Sequence, residues 1–392
     1  MGLVARLVYV LAYPQLPVGF DAAGYDSIAQ VIVTTGQYPA VGRQPLYPSF
    51  LAAVYWVFGQ SYPAVRVVQA VLVSAIAVFA FLIGRALFGH RQGVIAAAVV
   101  SLYPGLFAYS GLLLTETVFA FLVAMFAWCF VHAWRDEGWM WPAAAGVVLG
   151  MATLCRGEII GLAGPAALLL VWRRSFRAGS RHAITLVAAA AMVVAPWGIR
   201  QHLNQSDATE LTNSIGLTLW LSTYPGEWLE WHVEREPLRS LLDCNCSSHE
   251  LNKRLIQESW RNISAAPAQN IWMSVKRFGR FWIGSHSGAI LGLETSFRSA
   301  LRDGEGAVLA MKGLLLFLNL ALLAAAAIGW YNQRASVMSW APLVMIIGYV
   351  NLVHVVLFST SRYQVPIIPL VAVLAACAAG GLSTRTLPNK LI

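Results

Sequence analysis

The sequence predicts an all-α polytopic membrane protein: a bundle of about ten transmembrane helices with interfacial helices and a small outer helical domain. Three observations predict it. Of 392 residues, 58% are hydrophobic and 11% charged, whereas soluble domains carry roughly a quarter charged residues. Apolar runs of about 20 residues, long enough to cross a ~30 Å hydrocarbon core, recur along the chain. Basic residues gather in alternate connections between those runs.

In order, the runs are 3–18, 64–87, 93–109, 112–134, 140–155, 158–172, 183–199, 308–330, 336–358 and 363–381. The first is the weakest, being short and interrupted by Arg6. A signal peptide is its rival, but no small-x-small cleavage site precedes Asp21; an incomplete native start is a third reading. Between the first two runs, Pro45–Gly59 (PLYPSFLAAVYWVFG) reads as an amphipathic helix too short to span, lying at the headgroup level with its Tyr and Trp side chains. Residues 201–307 lose the continuous apolar character. Within them Ser248–Trp260 has a Ser cap and apolar residues at helical spacing. Three sections result: 1–200, a transmembrane module with the first outer loop; 201–307, an outer domain; and 308–392, the C-terminal transmembrane helices.

The net charge of +9 is explained by topology. Arg85, His90, Arg91, Arg135, Arg173, Arg174, Arg177, Arg181, Arg334, Arg385 and Lys390 all fall on one side if each run crosses once. Positive-inside places that side, and both termini, in the cytoplasm. The acidic loops then face the periplasm of a bacterial inner membrane. No nucleic acid is implied as a partner; membrane lipids are.

Carboxylates at membrane boundaries are expensive and therefore functional suspects. Asp21 and Asp26 lie in the tract Asp21–Asp26 (DAAGYD) after the first run, and Glu116 begins the fourth on the same outer side. A carboxylate in a partly dry cleft takes a proton from an attacking hydroxyl; it also suits a divalent cation. The plainer alternative for Glu116 is a helix N-terminal acid facing the dipole, and Asp26 reads as a helix-starting or supporting residue. Arginines gather on the same side: Arg43, Arg156 beside Glu158, Arg200 and Arg362. As a set they suit the oxygens of a lipid-linked phosphate; singly, each can snorkel or form an internal ion pair.

Trp220, Trp228, Trp231, Trp260, Trp272 and Trp282 read as an interfacial aromatic belt ahead of a sugar-stacking surface. His232, His249 and His286 stay unassigned. Cys129 and Cys377 suit the core. Cys244 and Cys246, with His249 nearby, fit a disulfide or an incidental pair better than a zinc site. Phosphate-binding loop, Gly-x-Ser-x-Gly and His-Glu-x-x-His patterns are missing from the sequence, so ATP-driven transport and membrane proteolysis of those kinds lose support.

The stretch from Asp21 through Tyr25 and Ala29, then Gly36–Pro39 (GQYP) and Arg43–Pro48 (RQPLYP), resembles the first outer loop of GT-C type membrane glycosyltransferases. The similar branch is the bacterial one related to protein O-mannosyltransferases and lipid A aminoarabinose transferases. Leu114–Glu116 (LTE), Leu154–Glu158 (LCRGE), Pro196–Arg200 (PWGIR) and Arg362–Pro366 (RYQVP) extend the likeness over essentially the whole chain.

The resemblance implies a GT-C bundle and a transferase that takes a sugar, hexosyl or pentosyl, from a polyprenyl-phosphate carrier to a lipid, protein or glycan acceptor, usually with inversion. It implies catalytic roles for Asp21 and Glu116, donor-phosphate contacts for Arg43 and Arg362, and by extension for Arg156 and Arg200. Tyr25, Asp26, Tyr47, Glu158 and Tyr363 stand as supporting residues. No nucleotide or redox cofactor is implied. Relatives with an acid before the Arg43 stretch differ from this chain, which has Gly42, so the resemblance does not commit the site to a divalent cation.

The competing reading is a lipid-linked oligosaccharide flippase or other transporter, which would show internal repeats and mid-bilayer ionisable residues. A glycan polymerase or ligase is the nearest enzymatic alternative, and a non-catalytic envelope scaffold the third.

Overall fold

The computed structural model describes residues 2–12, 20–39, 43–203, 210–224, 248–291 and 297–379, and every regular element among them is helical. The first three helices are α1 (Gly2–Ala12), α2 (Phe20–Thr35) and α3 (Leu46–Phe58). Asp21 thus sits in the first turn of a helix, where the sequence suggested a loop.

A single buried acid makes the corner. Asp26 on α2 accepts hydrogen bonds from Tyr55 (2.6 Å) on α3, from Tyr62 (2.8 Å) at the start of α4 (Tyr62–Leu87), and from Gln30 (2.8 Å). Bonds to an ionised acceptor are the stronger kind. Asp26→Ala leaves the buried Tyr55 hydroxyl unpaired, so we expect a loss of about 1–3 kcal/mol, measured as thermal unfolding in detergent. An unchanged midpoint would remove this bracing role.

Next come α5 (His90–Leu102) and α6 (Pro104–Ser110), a broken pair bent by 53°. Pro104 has no N–H to return to the Val100 carbonyl, so the ladder fails there. Arg6, fully buried, fills the gap: its guanidinium donates to the carbonyls of Val100 (3.1 Å) and Ser101 (3.0 Å). The residue that interrupts the first apolar run is therefore the partner of a broken helix end, as backbone groups in lipid require.

Then follow α7 (Glu116–Arg135), α8 (Met140–Cys155), a 3₁₀ turn Gly157–Leu162 leading into α9 (Ala163–Arg173), and α10 (Phe176–Leu203). Helix α7 forms the axis of the core, with Phe119, Phe126 and Phe130 all buried. Helices α8 and α10 touch backbone to backbone: a Cβ at Gly146 would lie 2.2 Å from the Leu186 carbonyl oxygen. Small residues four apart, Gly146 and Gly150, permit that approach.

Among the described residues, five helical stretches are long and apolar enough to cross a membrane: Tyr62–Leu87, Glu116–Arg135, Phe176–Leu203, Gly306–Val356 and Ser361–Ala379. The bent α5–α6 pair makes six. The chain is an integral membrane protein, but its helices do not map one to one on the ten expected runs. Run 93–109 is the broken pair, run 158–172 is split by its 3₁₀ start, and α8 is only 16 residues long. Run 3–18 is described only as far as Ala12. Runs 308–330 and 336–358 merge into one 51-residue stretch, with non-helical Ser336 where two lengths meet.

Within residues 201–307, α11 (Glu210–Thr223) packs on helix Ser248–Ala265, and Trp220 is buried there against Leu221 and Leu255. Trp220 is a core residue, which corrects its place in the aromatic belt; Trp260 and Trp272 are exposed. Helix Pro267–Trp282 is two-faced, exposing Ile271, Trp272, Val275 and Phe278 while burying Met273, Arg277 and Phe281. Gly42, Trp228, Trp231, His232, Cys244 and Cys246, and the side chain of His249, lie outside the described residues.

Candidate active site

Five segments deliver the site. Helix α2 brings Asp21 in its first turn, and the segment before α3 brings Arg43. The first residue of α7 is Glu116, the α8–α9 connection carries Arg156 and Glu158, and the 3₁₀ helix Ser361–Ile367 carries Arg362.

Arg362 is the hub. Its Nε–H donates to Glu116 Oε1, and its Nη1 donates to Asp21 Oδ2 at 3.2 Å. One guanidinium therefore joins carboxylates from two separate helices. Asp21 Oδ1 also accepts from Arg43, Nη2 at 3.4 Å. On the inner side, Arg156 Nη1 reaches Glu116 Oε1 at 3.5 Å, and its Nε donates to Glu158 at 2.8 Å. Three carboxylates alternate with three guanidinium groups, so no charge in the row lacks an opposite.

Side-chain exposure drops from 46% at Asp21 through 28% at Arg362 to none at Glu116, and rises again to 13% at Arg156 and 26% at Glu158. The row is a half-open pocket with Asp21 and Arg43 at the mouth and Glu116 as the floor. Glu116 Oε2 is buried without a hydrogen-bond partner. A helix N-terminal position favours the acid, but its two arginines set its orientation.

Aromatic rings wall the pocket. The Arg43 guanidinium lies 4.6 Å from the Tyr25 ring centroid, and Tyr25 meets Tyr47 edge-on at 5.0 Å. Burial pushes the Tyr25 hydroxyl up to about 12, with the Arg43 charge opposing, so it stays protonated at neutral pH. The Tyr47 hydroxyl donates to Gln69 Oε1 (3.1 Å), and the Gln69 amide donates to the carbonyls of Ser110 and Leu112 just before α7. Arg156 lies 4.7 Å from the Tyr363 ring, and the Tyr349 hydroxyl donates to the Glu158 carbonyl at 2.6 Å.

The geometry thus brings together Asp21, Glu116, Arg43, Arg156, Glu158 and Arg362, with Tyr25, Tyr47 and Tyr363 in support; Asp26 braces the corner behind. Arg200 is not brought into the row. It donates to the Tyr38 carbonyl and lies 5.1 Å from the Trp197 ring centroid, while the Tyr38 hydroxyl donates to the Arg43 carbonyl. Sequence reasoning missed Gln69, Tyr349 and Gln364, neutral residues whose partners are distant in the chain.

Among the described residues no three His, Cys, Asp or Glu side chains converge, and each carboxylate of the row already faces a guanidinium.

Residues 42–199 match the dolichyl-phosphate-mannose-protein mannosyltransferase family. No curated protein matches the sequence. The fold is similar to the oligosaccharyltransferase AglB of Archaeoglobus fulgidus, solved with an inhibitory peptide and a dolichol-phosphate, at TM-score 0.54 and 13% identity over 96% of this chain and 49% of that one. An Archaeoglobus fulgidus oligosaccharyltransferase solved with Zn and sulfate gives TM-score 0.54 and 17% identity, over 96% and 48%. ArnT from Cupriavidus metallidurans bound to undecaprenyl phosphate aligns at TM-score 0.46 and 14% identity, over 96% and 76%. The chain spans about half the length of the archaeal enzymes it matches. Its fold is that of the GT-C membrane glycosyltransferases, and its residues 42–199 carry the sequence pattern of the dolichyl-phosphate-mannose-protein mannosyltransferase family.

Proposed function

We propose that the chain is a glycosyltransferase that moves a sugar from a polyprenyl-phosphate carrier to an acceptor at the outer face of the membrane. The observation that carries this reading is Arg362 bridging Asp21 and Glu116 in a half-open pocket. The family match over residues 42–199, and a fold shared with an enzyme solved with a dolichol-phosphate, support it.

The chemistry follows from the charges. The acceptor hydroxyl oxygen attacks the anomeric carbon and forms the new glycosidic bond. Its proton passes to the Asp21 carboxylate, which acts as general base. The bond between anomeric carbon and phosphate oxygen breaks, and its electron pair leaves with the carrier phosphate, which gains one negative charge. Attack opposite the leaving group inverts the anomeric centre. Arg43 and Arg362, with Arg156 behind, stabilise the departing anion, where preorganised donors contribute most. Glu116 holds Arg362 and Arg156 in place.

In the resting pocket Asp21 is neutralised by Arg43 and Arg362. A carrier phosphate competes for those same N–H groups, and each one it takes frees Asp21 to act as base. Donor binding and base activation are then one event. An outer position for this pocket is part of the proposal, supported by the lean of basic residues toward the opposite connections, with helix α3 as a lateral entry for the isoprenoid. Acceptor and sugar class are read from cells: mass spectrometry of envelope lipids and glycans in a strain lacking the chain should reveal one missing glycoform. Carrier movement across vesicles containing the purified protein, with no new glycosidic bond, would favour a flippase.

A further inference from the structure

The residues on either side of Arg362 are gripped by one segment that belongs to neither the pocket nor its proposed chemistry. Helix Pro267–Trp282 ends, and the chain runs on along Ser361–Gln364. At Gly284 the Ser361 side chain packs so closely that a Cβ would lie 2.0 Å from the Ser361 Cβ. Two residues later His286 is buried with a left-handed φ of 52°. Its Nε2 lies 3.0 Å from the Gln364 amide nitrogen and 3.2 Å from the Tyr103 hydroxyl. Gln364 is itself fully buried.

The segment is fixed from behind. Tyr103 donates to Asn319 Oδ1 at 3.0 Å, and the Asn319 amide donates to the carbonyls of Trp282 (2.7 Å) and Gly284 (3.2 Å). A second arm leaves from Phe281, which stacks on His354 at 5.9 Å; His354 stacks on Tyr363 at 4.4 Å, nearly parallel. Ser361, Tyr363 and Gln364 are each held, while Arg362 between them is left to the carboxylates.

We propose that His286 is a positioning residue, acting through Gln364 to hold the Arg362 guanidinium in register with Asp21 and Glu116. The inference rests on the carrier-phosphate reading of the pocket. Burial lowers His286 to about 4, so the ring is neutral at physiological pH and Nε2 can accept the Gln364 amide proton. Simple core packing would not need a histidine in left-handed backbone, a conformation disfavoured for side chains with a Cβ, nor a buried amide aimed at its ring.

The test uses the full chain in lipid nanodiscs, comparing the parent with His286→Leu, His286→Gln, Gln364→Leu and the His286→Leu/Gln364→Leu pair. Two quantities are read: undecaprenyl phosphate affinity, and backbone hydrogen exchange of a peptide covering 361–367 without ligand. We expect each leucine variant to weaken undecaprenyl phosphate by about tenfold to a hundredfold, the scale on which a misplaced group acts. Exchange across 361–367 should rise while α8 and α10 peptides are unchanged. The double variant should be no weaker than either single, since one contact is removed twice, and His286→Gln, which keeps an acceptor, should recover most of the affinity.

Parent-like affinity and exchange in Gln364→Leu would overturn the proposal, and so would multiplying losses or a glutamine variant no better than leucine. Gln364→Leu removes the same bond from the other side, so it decides the matter if His286→Leu does not accumulate. Failure of the parent to bind undecaprenyl phosphate would sink the carrier reading instead, and the exchange rates would still decide whether His286 holds the segment.

Discussion

Asp21→Asn should lower sugar transfer by about 10²–10⁴-fold, the usual contribution of a general base, while the protein accumulates in the membrane at the parent level. The substitution keeps size and an oxygen acceptor but removes the charge and the ability to take a proton. Asp21 is nearly half exposed, and its bonds to Arg43 and Arg362 are 3.2 Å or longer. Exposed pairs of this kind contribute about 0–1 kcal/mol, so stability should hardly move. Glu116→Gln is the contrasting case: it strips the only charge from a fully buried group facing two arginines, and unbalancing a buried pair costs about 3–5 kcal/mol. Glu116→Gln should therefore lose protein as well as activity. Transfer from a purified lipid-linked donor, normalised to immunoblot signal, separates the two; normal turnover in Asp21→Asn would exclude Asp21 as base.

Arg362→Lys should reduce kcat/KM for the donor by about 10²–10³-fold, the range for loss of one preorganised donor at a developing oxyanion. The positive charge remains, so Glu116 is not left alone in the interior. What is lost is the fork. Arg362 holds Glu116 through Nε and Asp21 through Nη1, and a lysine ammonium on a flexible stem cannot span both and still face a phosphate. The measurement is steady-state transfer with the donor varied. Activity within about threefold of the parent would mean that Arg362 supplies only charge, for which bidentate geometry is unnecessary.

What could be read from the chain divides by the range of the interaction. Helix α3 was legible because Pro45 and Gly59 bracket a short, mostly apolar stretch bearing Tyr and Trp. The long apolar helices were legible because burying backbone in lipid leaves little choice of structure. Helix α2 was not. Its acidic tract reads as the start of an outer loop because it follows the first apolar run, whereas Asp26 ties the segment as a helix to Tyr55 and Tyr62.

The site shows the same division. Residue type and outer placement marked Asp21, Glu116, Arg43, Arg156 and Arg362 as candidates; no spacing marks the bridge from Glu116 to Arg362, which joins positions 246 apart. Arg200 shared the placement but turns toward Tyr38 and Trp197, a direction that sequence order cannot set. Buried neutral partners were silent for a related reason. A lone His286 or Gln364 carries no pattern until the fold brings their side chains together across 78 residues. Trp220 likewise looked interfacial until α11 met the helix Ser248–Ala265.

The most direct test of the pocket is a cryo-electron microscopy structure of the protein in nanodiscs with undecaprenyl phosphate bound. The account predicts phosphate oxygens within about 3 Å of the Arg43 and Arg362 guanidinium groups, as charge-assisted bonds require, with the Asp21 carboxylate released from at least one of them. A phosphate seated elsewhere, with the Asp21–Arg362–Glu116 row intact beside it, would contradict it.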